Sequence, residues 1–460
     1  MSATRPQNPF ARNFPAISHF PRPLGCISLS CPRSTDSRYV FDGMPRRGKA
    51  VKASTAGCGD CLSALPDAVL QHALGFLEAG EAVRTCVLSR RWRHLWRPIP
   101  RLRLTDVEAF RNVEKLNRFV DQLLLLRDAG SVLDECELDL RGLLRLDEAL
   151  VDLWIRRVLA CRVWVLRVQL YTNLPTDQGE PLVTLASRPL LSQHLVRLEL
   201  SGVYLEEGFL DFLSCPVLED LKIAHCVLHT DEILSQSLKH ISIMGCQFLI
   251  FMLPTHISAP CLTSLQLHDC LGMIPILENM PSLETASVSL GHRYEYYCDS
   301  CDDGGLEECT CAMSTMYWDD GDRKRDFSTV LLRGLSSATC LVLIASPEMI
   351  TFKRDLRCCP TFSKLRSLSL NDWCLVADLQ MLLYFLHHTP VLEKLTLQLC
   401  KEPKSGMKTE GNSSLEQTLT LRQLKIVEVK CRMIDERVHN ITKILSSCSI
   451  SLEKIIIQKL

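Results

Sequence analysis

Residues 195–200 read LVRLEL, 218–223 LEDLKI, 238–243 LKHISI and 262–267 LTSLQL. Each copy is an apolar residue, two variable ones, a second apolar residue, one variable residue and a third apolar one. Alternate residues of a strand point to opposite faces, so the last two apolar side chains of each copy share a face. The first enters from the preceding turn. The pattern continues at Leu365–Leu370, Leu392–Leu397, Leu424–Val429 and Leu452–Ile457, with a weaker copy at Leu283–Val288. Degenerate copies start at Leu133, Val163 and Ala338. Starts at 195, 218, 238, 262 and 283 are 23, 20, 24 and 21 residues apart, and later ones 27 to 32.

Such a period lies in the leucine-rich-repeat range. One unit cannot enclose its own apolar face, whereas stacked units share a continuous core. The expected fold is therefore α/β, an irregular leucine-rich-repeat solenoid with uneven curvature. Segments 208–214 and 378–387 read as short helices on its convex side. His225-Cys226, Gly245-Cys246, Asp269-Cys270 and Trp373-Cys374 sit where strands end, and cysteine there suits the asparagine or cysteine position of the repeat. An ordinary α/β protein with leucine-rich strands is the plainer alternative. Nine good copies in register speak against it.

Ahead of the repeats lies LSALPDAVLQHALGFLEAGEAVRTCVLSRRWRHLW, residues 62–96. Leu65, Val69, Leu70, Leu74 and Leu77 recur at helical steps. Val83, Val87, Leu88, Trp92, Leu95 and Trp96 repeat that pattern in a second segment. Two short helices this apolar need something to pack on, and another protein is a good candidate for part of it. Leu65-Pro66, Leu70, Leu77, Val87, Ser89, Arg91-Trp92 and Leu95-Trp96 resemble an F-box, and VLSRRWRHLW resembles its plant version closely. The resemblance implies a Skp-type adaptor as partner and, through it, a cullin and a ubiquitin-conjugating enzyme. It also implies that Leu65, Pro66, Val69, Leu70, Leu77, Val87, Leu88 and Trp92 face the adaptor or brace the helices that do. Trp92 is the expected anchor. Pro66 in the first turn costs no hydrogen bond, and Asp67 after it suits the positive helix terminus.

The tail at 421–458, LRQLKIVEVKCRMIDERVHNITKILSSCSISLEKIIIQ, reads strand (424–430), charged turn, helix (436–446), strand (452–458). It resembles the end of an FBD-type domain, which follows F-boxes and leucine-rich repeats in plant proteins. The expected organisation is a disordered basic leader at 1–57, an F-box at 58–104, repeats at 105–400 interrupted at 291–325, and the C-terminal part of an FBD-like region at 401–460.

Composition narrows the function. The chain has 460 residues, 47% hydrophobic, with a formal charge of −1, so the global balance points to neither nucleic acid nor a membrane surface. No run of eighteen uncharged apolar residues suggests a span. Most of the 23 cysteines sit singly in leucine-rich segments, as at Cys215, Cys226, Cys246, Cys270 and Cys400, and read as small buried residues of a reducing compartment. With no secretory signal at the front, nucleus or cytoplasm is expected. Residues 1–57 hold nine Lys or Arg against two Asp; a transit peptide, or a natural start at Met44, are the other readings.

Three motifs compete for chemistry. Cys298-x-x-Cys301 with Cys309-x-Cys311 could bind zinc tetrahedrally, but the second spacing is unusual for a structural site and the surroundings are acidic. An exposed acidic insertion is the simpler reading. A catalytic cysteine needs a positioned base, and no signature joins His387 and His388 to Cys400. Arg90, Arg91, Arg93 and His94 make a short basic cluster, better read as a solvated face than as a nucleic-acid site. Neither nucleotide-binding glycine loops nor a His-Glu-x-x-His helix is present. No cofactor and no catalysis are expected. The functional expectation is a substrate receptor of a ubiquitin ligase, with an unknown target protein held by the repeats. The alternative is a leucine-rich-repeat scaffold with no ubiquitin role.

Overall fold

The structure is a computed structural model. It describes residues 62–459 except 63, 111, 142–147, 171–182, 186–187, 250–253, 273, 279, 291–329, 346–358, 376–378, 400–422 and 448–454. The basic leader at 1–57, Cys298, Cys301, Cys309 and Cys311, and Cys400 lie outside the described residues.

The repeated hexamers form strands stacked in chain order. They are β1 (Arg101–Leu104), β2 (Glu135–Asp139), β3 (Val165–Gln169), β4 (Arg197–Ser201), β5 (Asp220–Ala224), β6 (His240–Met244) and β7 (Ser264–Gly272). The stack continues with β8 (Thr285–Leu290), β9 (Cys340–Ala345), β10 (Ser367–Asn371), β11 (Lys394–Leu399), β12 (Ile426–Cys431) and β13 (Ile455–Lys459). Every neighbouring pair is parallel and in register, with the second and third apolar positions of one copy opposite those of the next: Leu198 faces Leu221, which faces Ile241, which faces Leu265. The three apolar positions of each copy from Leu133 through Val429 are buried. Burying a side chain of this size contributes roughly 1.5–3 kcal/mol, so the rows of inward leucines dominate the core. The degenerate copies at Leu133, Val163 and Ala338 are full members, giving β2, β3 and β9. One member escaped the sequence reading: Ile99, Leu102 and Leu104 are buried with the same spacing and place β1 directly after the front helices.

The return paths differ from expectation. Residues 208–214 are not a helix. Gly208 adopts a left-handed conformation (φ 79°), Phe212 N–H donates to Leu234 O (2.9 Å) and Leu234 N–H to Leu210 O (3.2 Å). Pairing with the next turn of chain satisfies the backbone there in place of helical bonds. The neighbouring turns do the same with short strands, Glu232–Leu234, Ile276–Glu278 and His256–Ser258 between them, all parallel. A further parallel set, Val183–Leu185, Val203–Leu205, Val227–Leu228, Gln247–Phe248 and the end of β7, lines the corner. Later, longer repeats do carry helices: α5 (Val330–Gly334), α6 (Gln380–His387, within the expected 378–387) and α7 (Glu436–Ser447). Before β4 the crossovers are α3 (Val113–Leu126) and α4 (Glu148–Ala160), numbered after two helices at the front, α1 (Asp67–Leu74) and α2 (Ala79–Arg84).

The strand-to-corner turn repeats one device. Gly202, His225, Gly245 and Asp269 each take a positive φ (71°, 53°, 59° and 52°). The next residue, Val203, Cys226, Cys246 or Cys270, is buried. A Cβ on Gly245 would stand 2.7 Å from His225 Nδ1, so a side chain there would have to displace the His225 ring. The Cys226, Cys246 and Cys270 thiols donate to carbonyl oxygens of their own rung or the preceding one at 3.2–3.8 Å.

At the far end, α7 is tied back to the stack. Arg437 Nη1 donates to Asp372 Oδ1 (2.9 Å) across 65 residues, and its Nη2 to Asp435 Oδ2 (2.7 Å). Asp372 is buried beside Trp373, whose Nε1–H donates to Leu343 O (3.1 Å). Arg437 is a quarter exposed, so removing it from this partly buried pair costs about 1–3 kcal/mol. Arg437→Ala should therefore lower unfolding free energy by about that much in a urea titration, whereas Lys425→Ala, on an exposed pair, should stay within about 1 kcal/mol.

Candidate functional site

Two surfaces stand out: the front helices and the outward face of the strand stack. In α1, Leu70 and Leu74 lie four residues apart and point into the core, at 2% and 3% exposure. Val69 and Phe76, seven apart and so on another side of the helical path, are 48% and 55% exposed. Phe76 meets the His72 ring edge-on at 5.2 Å, and the Arg101 guanidinium stands over it at 5.0 Å.

The second apolar segment is not one helix. α2 stops at Arg84 and two 3₁₀ turns follow, at Thr85–Val87 and Trp92–His94. The break turns Val87 and Leu88 outward, at 80% and 64% exposure, and sends Leu95 and Trp96 into the core. Trp92 is half-buried against that core, and Leu77 is partly exposed. Leu65 and Pro66, just before α1, are both exposed. Of the residues singled out in the sequence, Val69, Leu77, Val87 and Leu88 therefore carry exposed apolar surface on the helical part. Leu70 instead braces α1 from inside, because its position faces the core side. Phe76 was missed; its seven-residue step from Val69 is the signal that could have found it.

The basic cluster is partly neutralised. Arg91 Nε and Nη2 both donate to Asp67 Oδ1, at 2.8 and 2.5 Å, pinning the start of α1 to the second 3₁₀ turn.

These elements are built into the strand stack. Leu70, Leu74, Ala79, Ala82, Leu95 and Trp96 share one core with Ile99 and with Leu102 and Leu104 of β1. Glu78, the residue before α2, accepts from the backbone N–H of Thr105 (2.9 Å) and of Asp106 (3.3 Å), and from the Thr105 hydroxyl. Arg127, at the end of α3, donates to Ile99 O (2.9 Å) from a buried position. No single-sequence pattern pointed to Glu78, whose partners lie 27 and 28 residues away.

On the outward face, the central row of side chains from β1 to β5 alternates in sign: Arg103, Glu137, Arg167, Glu199, Lys222. Neighbours pair across strands, Arg103 with Glu137 at 3.1 Å and Arg167 with Glu199 at 3.2 Å. Beside that row, Arg167 also bonds Glu135, and Arg197 pairs with Asp220 at 2.9 Å.

Neither Cys136 nor Cys374 offers a nucleophile. Burial pushes Cys136 and Cys374 well above the ordinary thiol range, so both stay protonated. Among the described residues no group of three or more His, Cys, Asp or Glu is arranged to hold a metal, and no helix is long and apolar enough to cross a membrane.

Comparison with known proteins bears on the front helices. Residues 62–104 match the F-box domain model. The chain is 28% identical to a meiotic F-box protein of Oryza sativa subsp. japonica, over 81% of this chain and 80% of that one. It is 27% identical to an F-box/LRR-repeat protein of Arabidopsis thaliana, over 68% of this chain and 64% of the relative. A putative FBD-associated F-box protein of Arabidopsis thaliana is 29% identical over 50% of this chain and 57% of its own length. The chain thus carries an F-box domain and is similar to plant F-box proteins.

Because a hydrogen bond to a charged group contributes about 1.5–3 kcal/mol, Glu78→Ala should destabilise the protein by roughly that amount. Amide hydrogen exchange at Thr105 and Asp106 should accelerate in step.

Proposed function

We propose that this chain is the substrate-recognition subunit of a Skp–cullin–F-box ubiquitin ligase. The F-box at 58–104 binds a Skp-type adaptor, which connects it to a cullin. The strand stack, read as a leucine-rich-repeat solenoid over 105–400 with an FBD-like cap at 401–460, holds the target protein. The chain forms no bond itself. It raises the local concentration of a target lysine beside a loaded conjugating enzyme, which turns a rare encounter into an effectively intramolecular one. The nucleus or cytoplasm is the proposed compartment.

One observation carries the adaptor reading. Helices that merely closed the end of a stack would present a polar outer side. Here the outer side keeps Val69, Phe76, Val87 and Leu88 in water. Leaving four large apolar side chains exposed on so short a segment is costly unless a partner covers them. The same observation weighs against a scaffold with no ubiquitin role, in which the front helices would serve only as a cap. The shared core with β1 supports a rigid receptor, since no flexible linker separates the F-box helices from the first rung.

The test uses the full chain. Val87→Asp/Leu88→Asp should weaken capture of a purified Skp-type adaptor about thirtyfold or more, the loss typical of interface anchors worth roughly 2 kcal/mol. Its melting temperature should match the unmodified protein, because both side chains are exposed. Leu70→Ala should do the reverse, costing about 2–5 kcal/mol of stability. Undiminished capture by the double aspartate variant sinks the adaptor assignment.

A further inference from the structure

The alternating charges on the outward face stop abruptly. The central row after Lys222 of β5 continues Ser242, Gln266, Ser287, Val342 and Ser369 across β6 to β10. The rows on either side behave alike: none of the fifteen outward positions at 240, 242, 244, 264, 266, 268, 285, 287, 289, 340, 342, 344, 367, 369 and 371 is Asp, Glu, Lys or Arg. Charge returns at β11 and β12, where Lys394 pairs with Glu428 at 2.7 Å. Side chains of the window bond one another, and Gln398 of β11, through neutral groups, while His240 at its edge stands 4.0 Å from Asp220 of β5. Ser242 Oγ donates to Gln266 Oε1 (3.1 Å), His268 Nε2 and Ser287 Oγ are 2.9 Å apart, and Gln398 Nε2 donates to Ser369 Oγ (3.2 Å). Val342 and Ile344 add half-exposed apolar surface.

Of the flanking charges, Glu199 pairs with Arg167, Asp220 with Arg197 and Lys394 with Glu428 across the strands, and Lys222 stands at the near edge, opposite Ser242. An ion docked over β8, three strands from Lys222, would lose its water with no Asp, Glu, Lys or Arg side chain of the window to replace it, a penalty of several kcal/mol. A neutral segment has the opposite balance: its amides and hydroxyls find donors and acceptors in the serine, glutamine and histidine side chains, and its apolar groups find Val342 and Ile344. Five strands at about 4.8 Å spacing make a strip about 20 Å across, the length of roughly six extended residues.

We infer that the window over β6–β10 is the docking site for an uncharged extended segment of the target protein, about six residues long and rich in Ser, Thr, Asn, Gln or apolar side chains. The inference rests on the reading of the strand stack as the target-binding part and specifies what that part selects: charges of either sign are excluded, because specificity here comes from the cost of an unpaired ion.

A phage-displayed library of random heptapeptides, panned against the full chain, is the direct probe. Enriched peptides should lack Asp, Glu, Lys and Arg at their central positions, and their affinity should be insensitive to salt, since no ion pair is there to screen. Ser287→Lys should weaken them about tenfold or more while capturing the Skp-type adaptor as well as the unmodified chain, which shows that the variant is folded. Enrichment of charged peptides overturns the inference. So does binding that is lost on Glu199→Gln or Lys222→Ser and kept in Ser287→Lys, although the sheet face then remains the target site. If no peptide binds, or no substitution on the face matters, the inference and the target-binding reading of the stack fail together.

Discussion

Lateral burial of the inward leucines is the constraint from which the remaining structure follows. A single L-x-x-L-x-L hexamer has an apolar side that it cannot hide. Leu198 and Leu200 are buried because Leu166 and Val168 lie on one side of them and Leu221 and Ile223 on the other. Each rung is therefore stable only in company, as in any quasi-one-dimensional stack. The two ends need other solutions. At the front, β1 meets the F-box helices, which contribute Leu70, Leu74 and Trp96 to the same core. At the back, Arg437 bonds Asp372 and anchors α7.

Joining the F-box to the first rung in this way has a mechanical consequence. Glu78 holds the backbone at Thr105 and Asp106, and Arg127 holds the carbonyl of Ile99. In the proposed receptor role such stiffness helps to position a target lysine, because effective concentration falls when a connection is loose. The helices serve two masters. One side, with Leu70 and Leu74, is committed to the stack, and the other, with Val69 and Phe76, stays exposed.

The outward face divides labour by charge. From β1 to β5, Arg and Glu alternate and pair across the strands, which disperses the electrostatic field of a long charged row. From β6 to β10 the face carries hydroxyls, amides, two histidines, Met244, Cys340 and two aliphatic side chains. Exposed ion pairs contribute little to stability, so the alternation adds little to what holds the strands together.

Much of this was legible from residues. The strands at 195–200 through 424–429, the helix at Gln380–His387 and the strand–helix–strand tail follow from a two-residue alternation inside a longer period, which is local information. What failed was non-local. Residues 208–214 looked helical by composition, yet Gly208 and the hydrogen bonds to Leu234 make them pair with the next turn of chain. The second apolar segment looked like one helix, yet it breaks after Arg84, and only that break exposes Val87 and Leu88 while burying Leu95 and Trp96. Residue order was enough to set the repeat and its register, because alternation along a strand assigns each side chain to one face whatever its surroundings. Which apolar residues of the front helices remain in water, and where the charges of separate strands meet and cancel, emerged only from the folded chain, because both depend on neighbours twenty or more residues away.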